Sequence, residues 1–189
     1  MSVVDIRKPS LSELDAAAAF VREISSYVLD QWPSLEAVLT GYSLVLRPGD
    51  RAVLDDDWAR LEFALAALAE ESQALGNLLP PDQGRRILDY VLALLDSRDL
   101  EGAAVEGFNA YREAWRRGLE RNEPPFDEVA SLLYDRVGFQ GTAEVGGVTI
   151  KAPLLLMAIS TALFLPGQGW WQSTLARHTL VVSTKPGQL

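Results

Sequence analysis

Hydrophobic residues recur at helical spacing over most of the chain, and this periodicity predicts a mainly helical fold. The first helical segment follows Ser10 and Ser12, which offer two alternative capping boxes, one with Glu13 and one with Asp15. Pro33 predicts the end of this helix, because the residue before a proline is pushed out of helical geometry. The apolar stripe of the helix consists of Leu14, Ala18, Val21, Ile24, Val28 and Trp32.

The segment after Pro33 has two interpretations. Apolar residues from Leu35 to Leu46 fit a second helix that stops before Pro48. Residues 43–46 and 51–54 also flank a Pro-Gly turn in the way that the two strands of a β-hairpin would. We favour the helix, and the hairpin remains the alternative.

Further helices are predicted between residues 55 and 137. The third helix begins at the three aspartates of residues 55–57 and closes at Gly76-Asn77, ahead of two prolines. The fourth, at residues 82–97, is apolar on almost all sides, which predicts a central position in the fold. The fifth and sixth helices cover residues 100–121 and 126–137.

The last part of the chain has a different pattern. Two short β-prone stretches around Gly146-Gly147 predict a hairpin at residues 143–151. Residues 152–165 carry no charge, and because a membrane span needs roughly 20 residues, this run predicts a buried core helix. A terminal strand at residues 179–183 is expected to join the hairpin. We therefore expect one domain over residues 1–189, a bundle of six or seven helices whose C-terminal subregion, 139–189, holds the hairpin, the apolar helix and the tail.

Composition excludes several classes of chemistry. The 189 residues contain no cysteine and one histidine, which excludes disulfides, thiolate metal sites and histidine-rich metal sites. A net charge of −9 disfavours a nucleic-acid partner, since binding to the phosphate backbone relies on cationic residues. The first residues lack the apolar segment of a secretory signal. We expect a cytoplasmic protein without a membrane span, and no stretch has the form of a family signature.

Acidic residues at the start of the third helix are the first candidate for a metal site. Asp56 and Asp57, with Glu62, are candidate ligands for Mg²⁺, because hard cations prefer carboxylate oxygens. On that hypothesis the protein would be a Mg²⁺-dependent hydrolase or transferase that acts on a phosphorylated small molecule, although a second acidic motif is missing. We favour the structural interpretation, a capped helix with an Asp56–Arg60 ion pair, and this interpretation predicts no cofactor.

The fifth helix offers candidates for anion binding. Arg112 and Arg116 flank one side of its aromatic stripe, and arginine binds carboxylates and phosphates bidentately. Nearby glutamates favour the alternative of a solvated face with exposed ion pairs. Gly107 and Gly118 lie beside the same stripe, which predicts the close approach of a neighbouring helix or, alternatively, of a ligand or partner chain.

The candidate partner-binding residues are Trp170 and Trp171, together with Phe164 of the apolar run. Two adjacent tryptophans after a glycine-rich stretch are difficult to bury together, and tryptophan is enriched in interface hot spots. The alternative is that they cover the uncharged helix as a lid. We expect a nonenzymatic helical domain that binds a protein partner or self-associates; a small-molecule ligand in the helical core is a further hypothesis.

Overall fold

The computed structural model describes residues 8–46, 56–97, 102–137, 142–145, 148–151 and 169–182, and most of them are helical. This confirms the predicted mainly α fold with a small β component. The apolar run at 152–165, with Phe164, and the proposed hairpin arm at 51–54 lie outside the described residues. The elements are β1 (Ser10–Ser12), α1 (Glu13–Leu46), α2 (Asp56–Ser72), α3 (Leu75–Leu78), α4 (Pro81–Asp96), α5 (Ala103–Glu120), α6 (Pro125–Val137), β2 (Thr142–Val145), β3 (Val148–Lys151), α7 (Trp170–Arg177) and β4 (Thr179–Val181).

The start of α1 follows one of the two predicted capping boxes. The Asp15 amide donates a hydrogen bond to Ser12 Oγ at 3.0 Å, and Ser12 Oγ in turn donates to the Asp15 carboxylate at 2.6 Å. This reciprocal pair satisfies a backbone donor that would otherwise be free at the helix start. Ser12, not Ser10, is therefore the cap.

The predicted break at Pro33 is wrong, because α1 continues through this proline to Leu46. A proline inside a helix removes one backbone hydrogen bond, so packing has to hold the two halves in line. Val28 and Trp32 are buried just before the proline, and Leu35 packs on the core just after it. The helical alternative for residues 34–46 is confirmed, as a continuation of α1.

Although α1 has 34 residues, no helix of the described ranges combines the length and the hydropathy that crossing a bilayer requires.

The central helix is α2, and the prediction that residues 82–97 form the centre is wrong. Helix α2 contacts α1, α5 and α6, and five alanines of α2 are buried, which lets these neighbours approach closely. The leucines of α4 are mostly half-buried, while Ile87, Val91 and Leu95 make its buried stripe. Helix α2 also ends earlier than predicted, at Ser72, and the chain forms the short α3 before Pro80.

A buried carboxylate joins the start of α1 to α4. Glu13 is fully buried and accepts hydrogen bonds from Arg86 Nε at 2.9 Å and Arg86 Nη2 at 2.8 Å. Gln83 Nε2 adds a third hydrogen bond at 3.1 Å. Hydrogen bonding from Arg86 lowers the pKa of Glu13. This forked pair fixes how α4 lies against α1.

Helices α5 and α6 form a tight antiparallel pair. A Cβ built on Gly118 would lie 2.6 Å from Cα of Pro125, and Asn122 takes a positive φ of 56° in the turn between the two helices. A Cβ on Gly107 would lie 2.9 Å from Leu65 Cδ1. Neighbouring helices therefore explain both glycines, as one of the two sequence interpretations predicted.

The described strands form two small sheets. β2 and β3 make the predicted antiparallel hairpin, with Val145 opposite Val148. The terminal strand β4 also forms as predicted, but it does not join the hairpin. It pairs in parallel with β1, an element that the sequence analysis missed, with Leu11 opposite Leu180. This pairing joins residues near the two ends of the chain.

Candidate functional site

The structure does not present the Trp170–Trp171 pair as an exposed surface. Trp171 is 0% exposed, and its ring lies 5.0 Å from that of Phe20 between centroids. Trp170 is half-buried. Its ring packs at a tilt against Phe20, with the centroids 5.3 Å apart, and its Nε1 donates a hydrogen bond to Glu23 at 2.8 Å. The two rings are thus not buried to the same extent, although the first turn of α7 brings both of them onto α1.

A second contact holds α7 at its N-terminus. The carboxylate of Glu71 accepts hydrogen bonds from the backbone amides of Trp171 at 3.0 Å and Gly169 at 3.3 Å. A negative charge is stabilised there by the free amides of the helix start. Burial nevertheless raises the pKa of Glu71, and burial together with the charge of Glu71 raises the pKa of Glu70 to about 8. The carboxylate of Glu71 therefore attaches α7 to α2.

Two of the three acidic residues proposed as metal ligands, Asp57 and Glu62, lie on different faces of α2. The side chain of Asp57 is 97% exposed and lies 3.9 Å from Arg60, whereas Glu62 is 0% exposed on the inward face of the same helix. The side chain of Asp56 lies outside the described residues, and the predicted Asp56–Arg60 pair with it. Across the described ranges, no group of three or more histidine, cysteine or acidic side chains has the arrangement of a metal site.

Glu62 instead belongs to a buried network. Its carboxylate accepts hydrogen bonds from Arg136 Nε at 2.8 Å and Nη2 at 2.9 Å, and Tyr111 Oη donates a short hydrogen bond to it. Burial raises the pKa of Tyr111, and hydrogen bonding to Glu62 raises the pKa of Arg136. The network joins α2, α5 and α6, so it serves the packing of three helices.

The two arginines proposed for anion binding have different surroundings. Arg116 is exposed and forms ion pairs with Glu113 and Glu120 on its own helix. Arg112 is half-buried, and among the described residues its Nε has no hydrogen-bond partner. Burial lowers the pKa of Arg112, and its guanidinium lies 5.8 Å from the ring of Phe108. Of these two arginines, Arg112 is therefore the one that lacks an acidic partner among the described residues.

Arg112 lies between two open hollows in the surface, with volumes of about 460 and 470 Å³. Both are lined by Arg112 and Gln73, so they form one surface, which we call the Arg112 groove. The α4 hollow has Leu75, Leu88, Leu92 and Arg85 among its lining residues. The α5 hollow is lined by Gln73, Asn109, Arg112, Glu113, Trp115, Arg116 and Leu119.

The groove combines one unpaired guanidinium with apolar side chains on both sides. Leu119 is 61% exposed and Trp115 is half-buried, so the α5 hollow presents a larger apolar surface than the Trp170–Trp171 pair. Such an arrangement binds an anionic group through hydrogen bonds and holds apolar groups beside it. Arg112 was a candidate from the sequence, but Trp115 and Leu119 were not. They continue the stripe of Phe108 and Tyr111 at helical spacing, a pattern typical of a buried face.

Comparison with known proteins gives no indication of what the groove binds. No known protein family, no curated protein and no solved structure matches the chain. A function is therefore argued from the groove itself, from the charge of Arg112 and from the apolar side chains beside it.

Proposed function

We propose that this chain is a nonenzymatic binding domain that receives a protein partner on the Arg112 groove. The observation that carries the proposal is an arginine without an acidic partner among the described residues, on the same surface as exposed apolar side chains. Arg112, Trp115 and Leu119 all line the α5 hollow. Tryptophan and arginine are over-represented among the residues that dominate binding energy at protein interfaces.

The charge of the chain supports a different protein as the partner, in preference to a second copy. Every copy carries a net charge of −9, so two copies repel each other at long range. The groove itself presents an unpaired positive charge at Arg112. A partner that presents an acidic residue to the groove, but carries little net negative charge itself, is therefore attracted to Arg112 without the repulsion that self-association would involve.

A photo-crosslinking amino acid at position 119 tests the proposal, with position 29 as the matched control. Leu29 is 53% exposed on α1, and Leu119 is 61% exposed on α5. We expect a crosslinked protein at position 119 and none at position 29 when each variant is irradiated in its native cells. The captured protein is then purified and its affinity for the chain is measured by calorimetry.

The affinity measurement decides whether the captured protein binds the groove. We expect Leu119→Asp to weaken binding by at least tenfold, because burying a leucine contributes about 1.5–3 kcal/mol. Leu29→Asp should leave the affinity unchanged, and both variants should keep the melting temperature of the wild type. Equal capture at the two positions, or equal affinity of the two variants, would contradict the proposal. Capture of a second copy would identify self-association in place of a different partner.

A further inference from the structure

The chemistry of the groove indicates what the partner presents. The charged side chains around the two hollows are Arg85, Arg112 and Arg116 against Asp89 and Glu113, which leaves one positive charge unmatched. Arg116 is already engaged by Glu113, and Arg85 is exposed to solvent. Arg112 is therefore the half-buried cation of the groove without a hydrogen-bonding carboxylate among the described residues. One unmatched cation beside two carboxylates suits a single negative charge better than the double charge of a phosphate group.

Apolar side chains lie on both sides of that cation. Leu75, Leu88 and Leu92 line the α4 hollow, and Trp115 and Leu119 line the α5 hollow. A small organic acid that paired with Arg112 would fill only one of the two hollows, each about 460–470 Å³ in volume. A peptide segment has side chains on both sides of an acidic residue and therefore fills both.

We propose that the group bound by Arg112 is the carboxylate of an aspartate or glutamate in a partner segment, with apolar side chains of the same segment in the two hollows. This inference rests on the proposed function and adds the chemistry of the partner. The partial burial of Arg112 without an acidic partner in the described residues supports it. A carboxylate would supply the hydrogen-bond acceptors that the guanidinium lacks.

A selection from a library of random seven-residue peptides displayed on phage tests the inference. The wild-type chain and the Arg112→Gln variant are immobilised and compared, with Arg22→Gln as the control. Arg22 is an exposed arginine of α1 beside Glu23, outside both hollows. We expect the wild type and Arg22→Gln to enrich peptides with one acidic residue between apolar residues, and Arg112→Gln to lose this preference.

Calorimetry on the best enriched peptide gives the size of the effect. Replacing its acidic residue by the amide should weaken binding to the wild type tenfold to a hundredfold, since a hydrogen bond to a charged group contributes about 1.5–3 kcal/mol. The same replacement should make less than a threefold difference for Arg112→Gln. Octanoate, a free acid with an apolar chain, should displace the peptide only at concentrations at least about a hundredfold higher than the peptide's own.

Each of the other outcomes overturns the inference. Enriched peptides without an acidic position, whose binding is lost in Leu119→Asp, would show that the groove binds protein but not through a carboxylate, and the proposed function would stand. Octanoate that binds as tightly as the peptide would assign the site to small organic acids. Failure to enrich any peptide would remove the peptide assignment, while the crosslinking at position 119 would still decide the proposed function.

Discussion

The close approach of α5 and α6 at Gly118 makes the sharpest prediction about stability. Gly118→Ala adds one methyl group, and its carbon would lie 2.6 Å from Cα of Pro125. The obstructing atom belongs to the backbone, so it moves only if the two helices separate or the turn between them deforms. Glu123 donates its amide to the Gly118 carbonyl at 3.0 Å across this turn, which ties the same residue into the turn.

Two opposing terms set the magnitude. Replacing glycine by alanine inside a helix stabilises the helix by about 1 kcal/mol. Overpacking a well-packed contact costs typically about 1–3 kcal/mol, and a backbone obstruction at this distance belongs at the upper end. We therefore expect Gly118→Ala to lower the free energy of unfolding by about 1–2 kcal/mol.

Gly84→Ala is the matched control, because the same change is made at another buried helical glycine. A Cβ on Gly84 would lie 3.6 Å from its nearest neighbour, the carbonyl oxygen of Leu75, which is an ordinary contact. Helix propensity should then dominate and raise the free energy of unfolding by about 0.5–1 kcal/mol. Urea unfolding followed by circular dichroism measures both variants against the wild type. If Gly118→Ala were as stable as Gly84→Ala, the close packing of α5 on Pro125 would be refuted.

Two further predictions concern the buried Trp171 of α7 and the carboxyl group of Glu70 in α2. Trp171→Ala should lower the free energy of unfolding by about 3–5 kcal/mol, because the ring is fully buried. Trp170→Ala should lower it by clearly less, because this ring is half-buried, and thermal or urea unfolding measures both variants. The folded pKa of Glu70 is about 8, above the roughly 4.3 of an unfolded glutamate, so the folded state keeps a proton that the unfolded state has lost. Stability should therefore fall by at least about 1 kcal/mol between pH 5 and pH 8, and Glu70→Gln should flatten this dependence while the exposed Glu123→Gln does not.

Specific results would contradict these two predictions. If the two tryptophan variants lost the same free energy of unfolding, Trp171 would not be part of the core, and both tryptophans would again be candidates for an exposed surface. A wild-type stability that is constant or rises from pH 5 to pH 8, with Glu70→Gln following the same course, would show that Glu70 is charged at little cost. The charge of the neighbouring Glu71 contributes to the raised pKa of Glu70, so the pH dependence reports on the two carboxyl groups together.

Local signals in the sequence predicted the parts of the fold that depend on a few neighbouring residues. The Ser12–Asp15 cap and the hairpin around two glycines form as predicted, because capping and tight turns are decided within a few residues. Pro33 was misjudged because its effect is local, while the packing of Trp32 that carries the helix through it comes from other elements. The parallel pairing of β1 with β4 joins residues near the two ends of the chain, and no local pattern indicates such a contact.

The choice of α2 as the central helix shows the same limit in another form. Large apolar side chains on all sides of α4 predicted a central position for that helix. A helix at the centre of this fold instead needs small side chains, so that three neighbouring helices can approach it. The alanines of α2 meet that need, but a prediction based on hydrophobicity favours helices with larger apolar side chains. The buried Glu62 belongs to the same helix, and its partner Arg136 is far away in sequence. From the sequence, a Glu62 that pairs with Arg136 therefore could not be distinguished from a Glu62 that binds a metal ion.

The candidate site could be predicted only in part, because what distinguishes Arg112 is the missing partner and not the residue type. Arg112 and Arg116 are one helical turn apart, and the sequence shows acidic residues at helical spacing for Arg116 only. It does not show whether another helix supplies a partner for Arg112. Glutamates three and four residues from Arg116 engage it, since those spacings bring helical side chains together. Glu113 directly follows Arg112 in the chain and so points away from it, and the hollow on the other side is built by residues of α3 and α4. An unpaired cation is thus a property of the assembled helices, and a binding site that depends on one becomes visible only when those helices are in place.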